Sequence, residues 1–530
     1  MKTIFLASLV VYSIYLYSKL TTNLHALQQN RYNRGNKYLK WVKDNINKNY
    51  LNVELLIILI PLLIFIDYKY AAMLFNSLYF IIAMIIIFKN NKKVTKIPLK
   101  YTSRIIRLYV TFTIIYAGLI SLIMINFNSA YLIAYYIILA LFSYFNNLIM
   151  VLVNLINAPI EKVIGNYYKN MAKKKLASLT NMDVIGITGS YGKTSSKNIL
   201  YTVLNSKYNA FMTPKNYNTP FGLTLTINNE LDKFNDYFIA EMGACKKGEI
   251  KELCHLVKPK YGIITKIGLA HLETFKSEEN IIKTKFELIE SLPHDGVGIL
   301  NMDDPKQVNY QIKNDCKIIW IGITNKKADV YATNIKLENN KTTFDCIFKG
   351  DKKKYQFTTN LLGLANIYNI LASIALGSYL GISKKELQNA VKQVKPVEHR
   401  LELKKYYDMF LIDDAYNANI DGAKMALDVL KLTKGKKIVI SSGIIELGSK
   451  SYEINKELGI YMNNTCDEVI LIGKEQTKPI YEGLIAKKFN KKNIHILNNI
   501  MDAFPLLNEL KDKDTYVLLQ SDLPDIFNEK

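Results

Sequence analysis

The chain has 530 residues, room for about three domains by the usual size of a folding unit. Its 69 Lys and Arg against 46 Asp and Glu leave a net charge of +23, which either favours an anionic partner such as a membrane surface or a phosphorylated substrate, or reflects no more than a lysine-rich composition. No arginine-rich or tryptophan-rich patch points to nucleic acid, and Cys245, Cys254, Cys316, Cys346 and Cys466 show no paired or metal-binding spacing, so they read as free thiols in a reducing compartment.

Apolar runs dominate the beginning of the chain, over residues 4–20, 53–66, 71–88, 108–125 and 130–156. Runs of about 18 apolar residues are long enough to cross a bilayer, and a soluble domain rarely carries so many in succession. The 53–66 run is short and contains Glu54, which makes it the weakest of the set. Basic residues follow alternate runs: Arg31, Arg34 and Lys37 after the first, Lys92, Lys93 and Lys96 after the third, Lys169 and Lys173 after the fifth. The connections at 67–70 and 126–129 are short and nearly uncharged. By the positive-inside rule the basic segments are cytoplasmic, so an odd number of spans puts the N-terminus outside and the rest of the chain in the cytoplasm. The first run could instead be a signal peptide, but it has no convincing small-residue cleavage site. The expected organisation is an all-α transmembrane region over 1–160 and a basic juxtamembrane linker over 161–180.

Residues 184–187 read as a short buried strand, followed by Thr188-Gly-Ser-Tyr-Gly-Lys-Thr194 and then a helix. This is the pattern of a phosphate-binding loop. Gly189 and Gly192 let backbone N–H groups approach an anion, with Ser190 and Ser195 alongside; Lys193 can reach the outer phosphates, and the Thr194 hydroxyl can hold Mg²⁺. The usual first glycine of that loop is Ile187 here.

Further strand-like runs occur at 237–240, 261–265, 297–301, 410–413, 437–441, 468–472 and 516–519, with helical stretches between many of them. That alternation predicts an α/β protein with largely parallel sheets, and Pro396 suggests a boundary near 395. Glu241 closes a strand beside the loop, where a carboxylate can bind Mg²⁺, although acidic residues often follow strands. His271 is as well explained by a helix cap, and Asn216 and Asn218 by turn chemistry.

In chain order the motifs are TGSYGKTS, NYNTPFG, EMGA, HLETF, TKFE, NMDD, NIYNILA, EHRLE, DDAYNAN and GIIELGSKS. This series resembles the Mur ligase family, most closely its MurF branch, over residues 181–530. The resemblance implies a central ATP-binding domain over 181–394 and a Rossmann-like C-terminal domain over 395–530. It implies an ATP-dependent ligase that makes an amide bond through an acyl phosphate, joining an amino acid or dipeptide amine such as D-alanyl-D-alanine to a cell-wall precursor carboxylate. The resemblance also implies ATP and two Mg²⁺ ions as cofactors: the metal ligands match Thr194, Glu241 and His271, and a carbamylated lysine matches Lys285, which by pattern alone is a helix-surface lysine. The nucleotide side matches Asn366, Asn369, Arg400 and Asp414, and the substrate side matches Asn216, Asn218, Tyr416, Asn417 and Asn419.

Several features depart from that pattern. The family's UDP-binding N-terminal domain has no counterpart in the motifs; apolar runs stand in its place, so the carboxylate substrate is either the usual soluble precursor or one carried on membrane lipid. Ile420 replaces the usual proline after the Asn-Ala-Asn stretch, and the basic C-terminal motif reads Leu519-Gln-Ser-Asp522. A polyglutamate-type ligase, a P-loop transporter or sensor, and an inactive scaffold are the competing readings. Against transport, there is no LSGGQ-like stretch and few charges lie within the apolar runs.

Overall fold

The computed structural model describes residues 2–50, 68–92, 98–338, 341–416, 419–445, 447 and 450–521. The chain divides into two compact units, Met1–Asn166 and Tyr167–Lys530.

The first unit is helical. Lys2–Gln29, Ser103–Ile125 and Asn146–Ser178 are long and apolar enough to cross a membrane, and Met73–Ile85 and Ser129–Tyr144 are shorter apolar stretches. The expected run at 53–66 lies outside the described residues. The run at 130–156 is interrupted: one helix, Leu132–Tyr144, stops and another, Asn146–Ser178, begins. Buried polar side chains meet at this break. Asn23 Nδ2 donates to Asn146 Oδ1 at 2.7 Å, Tyr38 Oη donates to Asn147 Oδ1 at 3.2 Å, and Lys19 Nζ donates to the Ser143 carbonyl at 2.9 Å. Residues 161–178, expected as a linker, continue the last helix. Polar pairs such as Ser8 with Tyr136 are buried, while Val10, Ile106, Ile114 and Leu155 are exposed. The core around these pairs is apolar, with Phe5, Leu16, Leu20 and Phe112 fully buried, so this unit is apolar both inside and on much of its described surface.

The second unit contains a nine-stranded and a six-stranded sheet. The first is built from β1 (Asp183–Thr188), β2 (Ala210–Met212), β3 (Tyr237–Glu241), β4 (Tyr261–Ile264), β5 (Val297–Asn301), β6 (Lys317–Gly322), β7 (Val330–Glu338), β8 (Lys341–Phe348) and β9 (Lys354–Thr359), in the order β2-β3-β1-β4-β5-β6-β7-β8-β9. Pairing is parallel from β2 through β7 and antiparallel from β7 to β9. Central strands such as Val297–Asn301 are buried along their whole length, as a sheet covered on both faces requires. Helices Lys193–Leu204 and Leu364–Tyr379 supply apolar side chains to the core on one face, and Glu249–Val257 and Glu278–Phe286 to the core on the other.

The second sheet comprises β10 (Glu402–Tyr406), β11 (Met409–Asp414), β12 (Lys437–Ser441), β13 (Glu468–Ile472), β14 (Ile494–Leu497) and β15 (Tyr516–Gln520), in the order β10-β11-β15-β12-β13-β14. Only the edge pair β10 and β11 is antiparallel among the described strands. Every strand anticipated from sequence is present within a residue or two. The inner strand β6, the hairpins β7–β9 and the edge strands β2, β10 and β14 have no counterpart in the sequence reading.

Helices Ser451–Met462 and Lys474–Ala486 touch backbone to backbone. A Cβ at Gly459 would lie 2.1 Å from the Ile480 carbonyl oxygen, and one at Gly483 would lie 2.2 Å from that of Lys456. Gly459→Val should therefore force the helices apart and cost about 2 kcal/mol or more, read as a lower denaturant midpoint. An unchanged midpoint would show that this approach is not needed for stability.

Candidate active site

The phosphate loop leaves the carboxyl end of β1 and enters the helix Lys193–Leu204 through Gly192, whose φ of 81° lies in the left-handed region that glycine adopts without strain. The first helical bond runs from Ser196 N–H to the Gly192 carbonyl at 2.8 Å. The N–H groups of Lys193, Thr194 and Ser195 precede it and form the anion-binding end of the helix. The rest of the loop is pinned to the segment after β4. Ser190 N–H donates to the Lys266 carbonyl at 2.9 Å, Ser190 Oγ donates to the Gly268 carbonyl at 2.8 Å, and Thr265 Oγ1 donates to the Tyr191 carbonyl. A Cβ at Gly189 would fall 1.9 Å from Thr265 Oγ1, so this packing needs glycine. Lys193 Nζ bends back to the carbonyls of Gly189 at 2.8 Å and Ser190 at 3.2 Å. Burial lowers the pKa of its ammonium; the Glu241 charge opposes that shift and the Arg400 charge adds to it.

Glu241, at the end of β3, is 1% exposed. Its Oε1 accepts from Asn218 Nδ2 at 2.9 Å and from Thr194 Oγ1 at 3.3 Å. Its Oε2 makes no hydrogen bond, but lies 3.1 Å from Lys197 Nζ in an ionic contact. Gly243 makes room for Asn218, since a Cβ there would sit 2.8 Å from the amide carbon. Asn216 is exposed, and its carbonyl accepts from Asn218 N–H. One carboxylate, one hydroxyl and an amide are hard oxygen donors that suit Mg²⁺ held largely by phosphates and water. Among the described residues no group of three or more His, Cys, Asp or Glu has metal-binding geometry. His271 is an exposed residue at φ 54° capping the short helix Leu272–Phe275.

Lys285 is not on the helix surface. It is buried on Glu278–Phe286, with Nζ 5.9 Å from the centre of the Phe275 ring. Burial, reinforced by the Lys193 charge, brings its pKa down to about 7. The Lys193 charge disfavours a second cation at Lys285, so a group that makes Lys285 neutral or negative would relieve the repulsion.

On the nucleotide side, Asn369 lies against the loop: a Cβ at Gly192 would be 3.2 Å from its Oδ1. Asn366 is one turn of helix away, and its Nδ2 donates to the Leu362 carbonyl. Arg400 is near enough for its charge to act on Lys193. Asp414 is buried, and its Oδ1 accepts from Leu401 N–H at 3.1 Å. Tyr416 is exposed and its ring lies tilted against that of His399, with centroids 4.6 Å apart. Asn419 caps the helix Ile420–Lys431 by accepting from Gly422 N–H at 2.7 Å, and Asn417 lies outside the described residues. Sequence reasoning missed Lys197 and the placing of Tyr191 within reach of the Asp421 charge, which adds to burial in raising the pKa of the Tyr191 hydroxyl. The one available signal for Lys197 was its place four residues after Lys193 on the same helix.

The phosphate loop thus stands beside a hydroxyl and a buried carboxylate at the end of a parallel sheet, within reach of the charge of Arg400 from the C-terminal sheet region. Residues 187–377 match the Mur ligase middle domain, and residues 399–521 match the Mur ligase glutamate ligase domain. The chain is 31% identical over 357 residues to the UDP-N-acetylmuramoyl-tripeptide--D-alanyl-D-alanine ligase of Bacillus subtilis, covering 67% of this chain and 76% of that protein. The Escherichia coli protein of the same name is 29% identical over 295 residues, covering 55% and 65%. The structure of MurF from Thermotoga maritima in complex with ADP superposes with a TM-score of 0.61 at 25% identity, covering 68% of this chain and 80% of that one. MurF from Acinetobacter baumannii shares the fold, with a TM-score of 0.61 at 24% identity over 68% and 77%. The chain belongs to the Mur ligase family.

Lys193→Ala removes the cation of the phosphate loop. ATP turnover should fall by roughly 10²-fold or more, with the circular dichroism spectrum unchanged. Retained turnover would take the loop out of the reaction.

Proposed function

We propose that the chain is an ATP-dependent ligase that joins D-alanyl-D-alanine to UDP-N-acetylmuramoyl-tripeptide, and that it does so from the cytoplasmic face of a membrane in which its N-terminal helices are embedded. The observation that carries the ligase reading is the match to the Bacillus subtilis enzyme, which runs through the middle and C-terminal domains. The gathering of Lys193, Thr194, Asn218 and Glu241 at the end of a parallel sheet supports it.

The chemistry transfers the terminal phosphoryl group of ATP to the acceptor carboxylate, giving an acyl phosphate and ADP. The amine then attacks the acyl carbon, and the tetrahedral adduct collapses to an amide with loss of phosphate. Lys193 and Arg400 would balance charge on the phosphoryl oxygens. Thr194, Glu241 and His271 would hold Mg²⁺, which when bound would supply further charge neutralisation. Lys285 would carry a carbamate, formed when its neutral amine adds to carbon dioxide and releases a proton; its burial beside Lys193 supports this, because a carbamate would relieve the repulsion between the two cations. Asn369 and Asn366 would face the adenine, Asp414 the ribose, and Tyr416 and Asn419 the amine side. Closure of the C-terminal domain would exclude water from the acyl phosphate.

The membrane reading is supported by the exposed apolar side chains of the first unit, by its three long apolar helices, and by the basic segments between alternate apolar runs. Five spans, with the N-terminus outside, would leave the ligase domains beside ATP.

ADP release by the detergent-solubilised chain with D-alanyl-D-alanine should require UDP-N-acetylmuramoyl-tripeptide. Turnover on the lipid-linked form of the same peptide alone would replace the soluble acceptor with a membrane one, and silence on both would overturn this substrate assignment. Lys285→Ala should lose most activity and regain part of it with added short carboxylates standing in for the carbamate. Full activity without rescue would sink the carbamate.

A further inference from the structure

We infer that Lys197 is a positioning residue: a built-in counter-ion that holds the Glu241 carboxylate in place in the empty site and keeps its affinity for a free divalent cation low. The inference rests on the reading of Glu241 as a metal-side group and adds a residue that this reading does not use.

Lys197 is 1% exposed, unusual for a lysine, and its ammonium has one hydrogen-bond acceptor and one ionic partner. Nζ donates to the Lys215 carbonyl at 2.5 Å and lies 3.1 Å from Glu241 Oε2. Lys215 has a φ of 48°, a left-handed conformation that is uncommon outside glycine. That conformation turns its carbonyl into the reach of Lys197, in the same loop that supplies Asn218 to Glu241 Oε1. One ammonium therefore ties the phosphate-loop helix, the 214–218 turn and the end of β3 together. The two lysines of the helix Lys193–Leu204 face Glu241 differently. Lys193 contacts the carbonyls of the phosphate loop, whereas Lys197 contacts Glu241 Oε2 and the carbonyl of Lys215 in the 214–218 turn.

A buried carboxylate without a cation would be costly, and would draw in any divalent ion. With Lys197 beside it, the local charge is already balanced, so a second cation gains less from Glu241 alone. Phosphate oxygens must add their charge before a metal ion is held well. The arrangement makes metal binding depend on nucleotide binding without a conformational switch.

The test uses the full chain in detergent and Mn²⁺ as probe, followed by its paramagnetic resonance signal with no nucleotide present. Lys197→Met should bind Mn²⁺ roughly tenfold or more tightly than the parent chain, because a unit charge near 3 Å has been removed. Lys197→Arg should keep the weak parental affinity, and the gain should vanish in the Lys197→Met, Glu241→Gln double variant. A Lys197→Met chain that binds Mn²⁺ no more tightly overturns the inference. Should that variant fail to fold, the double variant decides. It removes the orphaned charge as well, so its folding supports the counter-ion role, and its failure to fold overturns it. Neither readout uses ATP, precursor or amine. Loss of the ligase reading would show instead as a parent chain that does not bind ADP with Mg²⁺.

Discussion

The buried charge of Glu241 is the constraint around which the site is organised. A carboxylate that is 1% exposed survives in a protein interior only when its oxygens are met by donors or cations. Here the partners come from separate segments, so the carboxylate fixes the phosphate-loop helix and the 214–218 turn relative to β3. The backbone on either side is fixed too. Glu241 N–H donates to Thr213 Oγ1 at 3.1 Å, and Thr188 Oγ1, at the end of β1, donates to the Met242 carbonyl at 3.0 Å. The strand ends that bear the loop and the carboxylate are thereby locked at one height. The parallel pairing of Ile187 with Glu241 sets that height.

A second layer of support lies one strand further on. Asp304 Oδ2 accepts from Ile267 N–H at 3.2 Å, and Gln307 Nε2 donates to the Thr265 carbonyl at 2.6 Å. The segment they hold is the one against which Ser190, Tyr191 and Gly189 pack. The acidic motif at 303–304 therefore acts on the phosphate loop at one remove. Its first member, Asp303, gathers the N–H groups of Ile323, Thr324 and Asn325 and the Tyr368 hydroxyl. Burial alone would raise the pKa of Asp303, but these donors outweigh it and hold the carboxyl below its ordinary range.

The strands and the phosphate loop were legible because their signals are local: short apolar runs ended by glycine or a polar residue, and a loop whose geometry needs glycine. Lys285 and Lys197 were not. A lysine on a helix reads as solvated, and only the packing of Glu278–Phe286 against the sheet, with Ile281, Thr284 and Phe286 on the same buried side, turns Lys285 inward. Nor could sequence show that Glu241 would face Lys197 across two elements. The break at Phe145 escaped notice for the same reason: 130–156 is continuous in hydropathy, and the partners of Asn146 and Asn147, Asn23 and Tyr38, lie more than a hundred residues away. In the hairpins β7–β9, buried and less buried residues alternate, but the polar positions are Thr, Lys and Asn, and the apolar signal is correspondingly thin.

The turn that carries Arg400 shows why the C-terminal domain belongs to the site. His399 and Leu401 both have positive φ, at 60° and 49°, a conformation that costs about 1 kcal/mol or more at each non-glycine position. The acidic pair at the end of β11 holds the turn in that shape. Asp413 Oδ2 meets His399 Nδ1 at 2.8 Å and Lys404 Nζ at 2.9 Å, while Asp414 Oδ1 accepts from Leu401 N–H. Arg400 is thus placed by strain that neighbouring carboxylates offset, and its charge reaches Lys193. A second junction lies at Gly268, where a Cβ would fall 2.4 Å from the Tyr191 ring and 2.6 Å from Asp421 Oδ2. The phosphate loop and the first turn of the helix Ile420–Lys431 meet there with no room for a side chain. Lys193 meanwhile rests on the neutral carbonyls of Gly189 and Ser190. A phosphate would offer the ammonium a formal negative charge in place of a carbonyl dipole, adding direct Coulomb attraction. The exchange of partners would lie beside a loop that already touches the first turn of the helix Ile420–Lys431.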